Sequence, residues 1–324
     1  MATSRLSLAL RSGELPVPEG QILVFGATAN ADLSQLPKER LQIEQPFAPD
    51  HKSLIAQGYD AVVKIEHPGD MAIVIIPRAK ALAKALLARA AELVPDGLLV
   101  VDGQKTDGID SILKELKKRT PVLGSFSKAH GKLFWLQSLP LPEWRAELAV
   151  LDGGFTTAPG VFSADGVDPA SVLLARKLPD TLKGTVADFG AGWGYLSSRI
   201  LEQEKPSKVY LVEADHIALD CAKLNIADAR AQFLWADATE VSLPEKVDNI
   251  VMNPPFHTNR KPDPDLGKRF IMAAARNLKA SGQLFLVANR HLPYEDTLSA
   301  CFTQVSELPG SSVFKILRAS KPRR

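Results

Sequence analysis

From residue 184 onward the chain alternates short apolar runs with amphipathic stretches, and this alternation constrains its fold more than any other feature. "GTVADFGAGWG" is an apolar run ending in a glycine-rich turn, and "SSRILEQEK" then reads as a helix. "KVYLVEAD", "AQFLWADAT", "VDNIVMNPPF" and "QLFLVAN" read as further strands. Between them, "HIALDCAKLNIADA" and "GKRFIMAAARNLKA" read as helices, the second stopped at Ser281-Gly282. Strands separated by helices predict a parallel sheet covered on both faces. The end of the chain differs. "FTQVSEL", Pro309-Gly310 and "SSVFKILRAS" predict a hairpin, so the sheet closes with antiparallel strands.

The first half repeats the pattern more faintly. "QILVFG", "LQIEQPF", "DAVVKIE", "AIVIIP", "GLLVVDG" and "KLFWLQS" read as strands, with helices near 78–94 and 108–119. "VFGATAN" (24–30) lines up with "DFGAGWG" (188–194), and residues 72–103 line up with the segment running from "NIVMNPPF" to "QLFLVAN". An old duplication of one α/β domain explains the echo. Prolines and glycines gather around 138–160. The boundary falls there, giving residues 1–145 and 146–324. The copies differ where chemistry would sit: Thr28 and Asn30 stand opposite Gly192 and Gly194, and only "IIPRA" stands opposite "NPPF".

Composition narrows the function classes. No apolar stretch is long and uncharged enough to span a bilayer, and the amino terminus carries no signal-peptide pattern. Two cysteines, Cys221 and Cys301, make neither a disulfide framework nor a metal cluster. These readings place the chain in the cytoplasm, with no metal and no membrane. A net charge of +2 is not that of a strongly basic nucleic-acid binder. Basic residues cluster locally, at 114–119, 259–261, 267–269 and the end of the chain.

Four strand ends in the second half are chemically marked, and ligands of open parallel sheets bind beyond such ends. Asp188-Phe189-Gly190-Ala191-Gly192-Trp193-Gly194 lets the backbone approach a ligand closely; alone it fits a dinucleotide equally well. Glu213 ends the next strand, where an acid can accept from both ribose hydroxyls. Asp237 ends the third, placed to meet an adenine edge. Asn253-Pro254-Pro255-Phe256 ends the fourth. A conjugated amine is a poor nucleophile. The Asn253 side-chain oxygen and the Pro254 carbonyl can each accept one of its N–H groups, aiming the lone pair and favouring the developing positive charge. Pro255 stiffens the turn, and Phe256 offers a stacking face. Guanine N2, adenine N6, cytosine N4 and glutamine N5 all meet this description.

Together "PGVFSADGVDPASVLL" (159–174), the glycine loop, "NPPFH" and "LKASGQLFLVANRHLPYEDTL" (278–298) resemble a class I S-adenosylmethionine-dependent methyltransferase. The resemblance is to the RsmC/RlmG-type ribosomal RNA guanine-N2 methyltransferases, nearest the small-subunit branch, and covers most of residues 155–320. It implies two Rossmann-like methyltransferase domains in tandem, the first degenerate and serving RNA docking or structural support. It implies an S-adenosylmethionine cofactor and a ribosomal RNA or ribosomal subunit as partner; the chain is expected to be a monomer. Asp188, Gly190, Ala191, Gly192 and Gly194 would lie along the methionine end, with Phe162 and Ser163 closing its other side. Glu213 and Ala214 would hold the ribose, and Asp237 with Ala238 the adenine. Asn253, Pro254 and Phe256 would hold the guanine, with Asn253 also bordering the cofactor. Pro255, His257, Arg260, Lys261, Lys268 and Arg269 are the candidate RNA contacts. Trp193 departs from the small residues usual in such a loop. Large-subunit rRNA, a protein glutamine, and a non-catalytic assembly role remain as alternatives.

Overall fold

A computed structural model describes residues 4–255, 257–258 and 261–323. The chain divides into two compact units, Met1–Leu148 and Ala149–Arg324.

The first unit holds strands β1 (Ile22–Phe25), β2 (Leu41–Glu44), β3 (Asp60–Val62), β4 (Met71–Ile75), β5 (Leu98–Gln104), β6 (Val122–Lys128) and β7 (Gly131–Gln137). Its helices are α1 (Arg5–Arg11), α2 (Ala48–Ala56), α3 (Lys80–Leu93) and α4 (Ile109–Leu116). The second unit begins with a two-stranded ladder, β8 (Ala149–Val150) and β9 (Thr156–Thr157). Then come β10 (Gly184–Phe189), β11 (Pro206–Glu213), β12 (Ala231–Trp235) and β13 (Val247–Met252), a short ladder of β14 (His257–Thr258) and β15 (Lys261–Pro262), and β16 (Leu278–Asn289), β17 (Phe302–Leu308) and β18 (Phe314–Pro322). Its helices are α5 (Pro169–Ala175), α6 (Tyr195–Leu201), α7 (His216–Asn225), α8 (Pro264–Asn277) and α9 (Glu295–Cys301).

The two large sheets share one topology. The first runs β3-β2-β1-β4-β5-β7-β6 and the second β12-β11-β10-β13-β16-β18-β17. In each, the first five strands are parallel and the last two pair antiparallel. Each is therefore a Rossmann-like domain, the C-terminal one ending in the expected hairpin. The strands are apolar on both sides because helices cover both faces. In the second unit Ala187, Phe189, Ile250 and Met252 face one apolar cluster, and Val186, Val209, Leu211 and Val251 face the other.

Two local expectations needed revision. The sequence suggested two helices in the first unit; α1 and α2 are additional. Helix α2 buries only Leu54, so it carries no apolar stripe to reveal it. Helix α8 ends at Asn277, before Ser281-Gly282. The Asn277 amide donates to Ala273 O and Val241 O and accepts from Leu243 N, and Leu278 is already extended. A buried side chain that satisfies backbone groups on both sides competes with continuing the helix. No helix among the described residues is long and apolar enough to cross a membrane. No described cluster of three or more His, Cys, Asp or Glu residues could hold a metal.

Candidate active site

The strand order of the second unit reverses between β10 and β13, and a crevice opens beyond the carboxyl ends of the strands there. A small cavity at this place is lined by Phe162, Ser163, Asp168, Ser171, Gly190, Ala191, Gly192, Trp193, Tyr195, Leu196 and Asn253. Six of these residues were expected at the site from sequence. A wider groove on the first unit, between Gln21, Lys38, Gln42, Asp60 and His67, lies at the amino-terminal ends of β1, β2 and β3, the wrong end of a parallel sheet for a ligand.

The turn after β10 explains its own composition. Gly192 has a φ of +56°, and a side chain added there would project into open space, so the turn leaves a cradle. Gly194 has a φ of +95° and serves packing: an added Cβ would lie 2.8 Å from Ile226 Cδ1. It does not line the cavity. Between them Trp193 is almost fully buried, with Ala158, Val161, Ala218 and Cys221 around it. Its indole N–H donates to the Phe162 carbonyl at 3.0 Å. Asn225 reinforces the same junction, donating to the carbonyls of Trp193 and Thr156 at 2.9 Å each. The departure at Trp193 therefore has a structural reason: it ties the glycine turn to the Phe162–Ser163 wall. Phe162 itself is 64% exposed.

The acids are arranged around this turn. Asp188 is fully buried, and Ser197 Oγ donates to its Oδ2 at 2.7 Å. Its Oδ1 has no partner among the described residues. Burial pushes the Asp188 carboxyl up to about 7; the Ser197 hydroxyl opposes the rise and the Glu213 carboxylate adds to it. Glu213 Oε2 accepts from Gly192 N at 2.7 Å and Oε1 from Asp215 N at 2.8 Å. Burial also pushes Glu213 upward, opposed by these backbone donors. Each Glu213 oxygen retains a lone pair. The Ala214 carbonyl is engaged by the Trp235 indole at 2.9 Å. Asp237 follows β12 and accepts from Thr239 N at 2.7 Å. Ala238 lies in the core, so its backbone alone can meet a ligand. Glu213, Ala214, Asp237 and Ala238 lie outside the small cavity.

Beyond β13, Asn253 lines the cavity, Pro254 is buried and Pro255 exposed. The Asn253 amide nitrogen donates to Asp168 Oδ2 and to Ser171 Oγ, both at 2.9 Å. Sequence reading missed Asp168 and Ser171. Both lie within "PGVFSADGVDPASVLL", where the Asp-Pro start of α5, which Asp168 caps by accepting from Ser171 N at 2.8 Å, is already a sufficient local reason for the aspartate. Phe256 and Arg260 lie outside the described residues, and of His257 and Lys261 only the strand backbone is described. Lys268 and Arg269 lie on α8, paired with Asp265 at 2.8 Å and Asp263 at 3.9 Å, and do not line the cavity.

The first unit shows the same frame without these groups. With Phe25 matched to Phe189, strand register places Val24 opposite Asp188, Gln45 opposite Glu213 and Ile75 opposite Asn253. Gln45 is buried and donates to the Ala27 carbonyl at 2.6 Å, closing its own loop.

The polar groups of the second unit fit S-adenosylmethionine. An unpaired buried carboxylate oxygen, a cradle open at Gly192 and free acceptor capacity on Glu213 suit a ligand carrying a cationic amine and a ribose diol. Fold and site thus define a class I S-adenosylmethionine-dependent methyltransferase. The Methyltransferase small domain family matches residues 152–318. Ribosomal RNA small subunit methyltransferase C of Shewanella pealeana is 32% identical, over 98% of each chain. Its counterpart from Psychromonas ingrahamii is 31% identical, over 76% of this chain and 75% of its own. The solved structure of the T. thermophilus 16S rRNA N2 G1207 methyltransferase (RsmC), in complex with AdoMet and guanosine, is 27% identical. It superposes with a TM-score of 0.80, over 96% of this chain and 90% of that one. The chain belongs to the ribosomal RNA small subunit methyltransferase C family.

Proposed function

We propose that this chain transfers a methyl group from S-adenosylmethionine to the exocyclic N2 of a guanine in 16S ribosomal RNA, acting as a cytoplasmic monomer. The observation that carries the chemistry is the Asn253 amide, held by its nitrogen and so presenting Oδ1 as an acceptor. The family supports the guanine and the small-subunit RNA. The cofactor supplies an electrophilic methyl on a sulfonium. Glu213 holds its ribose, Asp188 and the 190–192 turn hold its methionine end, and Asp237 with the Ala238 backbone meets its adenine. Phe162 and Ser163 close the near wall.

Asn253 Oδ1 and the Pro254 carbonyl each accept one N–H of the target amine. This would turn the nitrogen lone pair toward the methyl that the cofactor supplies, and the methylated amine would give its extra proton to water. Two fixed acceptors stabilise the positive charge that develops on nitrogen without reorganising. Phe256 stacks on the extruded base, offsetting part of the few kcal/mol needed to unpair it. Pro255, His257, Arg260, Lys261, Lys268 and Arg269 contact the RNA beside it. The first unit, lacking the acids and the Asn-Pro-Pro turn, is the non-catalytic copy and serves RNA docking or support of the fold.

The test is methyl transfer to small subunits and to naked 16S rRNA, with the digested nucleosides compared against standards. N2-methylguanosine is expected. Asn253→Ala should lower turnover at least ~10²-fold and leave cofactor affinity nearly unchanged. N6-methyladenosine, label in protein, or a variant with near-normal turnover would overturn the assignment.

A further inference from the structure

An asparagine amide has an accepting end and a donating end, and methyl transfer to an amine uses only the first. In this site the choice between them is made by residues that need not touch substrate. Asn253 Nδ2 lies 2.9 Å from Asp168 Oδ2 and 2.9 Å from Ser171 Oγ. An ionised carboxylate accepts and never donates. Turning the amide over would set its oxygen against the Asp168 oxygen, losing one hydrogen bond and adding a repulsion. Asp168 cannot swing aside freely, because the same Oδ2 accepts from Ser171 N at 2.8 Å and caps α5. All three residues line one cavity.

We propose that Asp168 and Ser171 are positioning residues that fix the polarity of the Asn253 amide and so make the site a reader of N–H donors. With the amide reversed, the same cavity would present two N–H groups and would suit a carbonyl edge instead of an amine. The proposal rests on the function given above, in which Asn253 Oδ1 receives the target amine. The two hydrogen bonds link α5, through residues far away in sequence, to the reacting end of β13.

Asp168→Ser separates polarity from capping. Serine caps a helix about as well as aspartate, so α5 should still start at Pro169. A hydroxyl donates as readily as it accepts, so hydroxyls at both 168 and 171 leave either amide orientation satisfied. The expected result is a kcat at least ~10-fold lower, with unchanged cofactor affinity by calorimetry and an unchanged melting temperature. Asp168→Asn should recover most of the loss. Its side-chain oxygen remains held by the Ser171 N–H and still accepts from Asn253. Normal turnover in Asp168→Ser would overturn the proposal. So would a parallel loss of cofactor affinity or stability, which would show a merely structural role, and so would an Asp168→Asn variant no better than the serine. Asn253→Ala is measured alongside. If it is inactive while Asp168→Ser is normal, the positioning claim fails and the function stands. If it is itself active, the function reading fails and the positioning claim with it.

Discussion

Asp188 gives the site a pH dependence that can be worked out from its surroundings. Its carboxyl is fully buried, one oxygen is bonded to Ser197 and the other has no partner among the described residues. Burial, the largest cause, carries it from the ordinary 3.8 to about 7. The folded chain therefore holds the proton more tightly than the unfolded one. The resulting stability is complete below 3.8 and is lost as pH rises through 7. Across the whole range the difference corresponds to about 4 kcal/mol against the ionised form. Between pH 5.5 and 8 the part that remains to be lost is about 2 kcal/mol. Glu213 and Asp215 are also pushed up by burial, and His51 is pushed down by it, so the wild-type curve alone mixes several groups. Asp32 and Asp228, both lowered to about 2, lose their contribution only in strong acid. Asp188→Asn keeps an oxygen for the Ser197 hydroxyl and never ionises. In denaturant unfolding of the cofactor-free chain at pH 5.5 and 8, wild type should lose about 2 kcal/mol more than Asp188→Asn. The variant should also bind S-adenosylmethionine more weakly at pH 8, having no charge to offer a cationic amine. Equal pH slopes in the two proteins would refute the reasoning.

Trp193→Phe keeps a buried aromatic but removes the indole N–H that holds the Phe162 carbonyl. A neutral hydrogen bond contributes about 1 kcal/mol net, so cofactor affinity by calorimetry should fall about fivefold as binding takes on the cost of ordering the wall. One chain should bind one cofactor molecule, because Val24, Gln45 and Ile75 stand where Asp188, Glu213 and Asn253 act; a titration giving two sites per chain would contradict this.

The two-sheet architecture was readable in sequence because every central strand is buried on both faces and so forms an unbroken apolar run, as in "LVFG", "VYLV" and "NIVM". The strand ends were readable for a related reason. A buried run that stops at Asp188, Glu213 or Asn253 places a polar group where only a ligand or an unusual bond can satisfy it. What stayed hidden depends on partners distant in sequence. Gly194 has the same spacing as a ligand-facing glycine, yet Ile226 and Ala222 on the far side of the turn account for it. Asp168 has the appearance of an ordinary cap, since the Asp-Pro start of α5 is sufficient reason for an aspartate there. Its bond to Asn253 spans 85 residues, and no local pattern distinguishes a cap that ends in solvent from one that also orients an amide.

The degenerate copy shows why strand register matters more than motif spelling in this fold. Read as letters, the first half loses its chemistry at Thr28 and Asn30, opposite two glycines, and at "IIPRA", opposite "NPPF". Read through the pairing of β1 with β2 and β4, it loses three polar groups at the strand ends: Val24, Gln45 and Ile75 replace Asp188, Glu213 and Asn253. Two of the replacements are aliphatic and need no partner. The third, Gln45, is buried and would be costly if left unpaired. It donates to the Ala27 carbonyl, and the Phe47 N–H bonds back to its own oxygen at 2.9 Å. In the second unit, by contrast, the buried Asp188 retains an oxygen that no described residue satisfies. A fold freed from binding can relax every such group into internal bonds. One that still binds must leave some polar capacity open. At these three strand ends, the unsatisfied Asp188 oxygen is therefore what separates the working copy from the silent one, even though both sheets are wound in the same order.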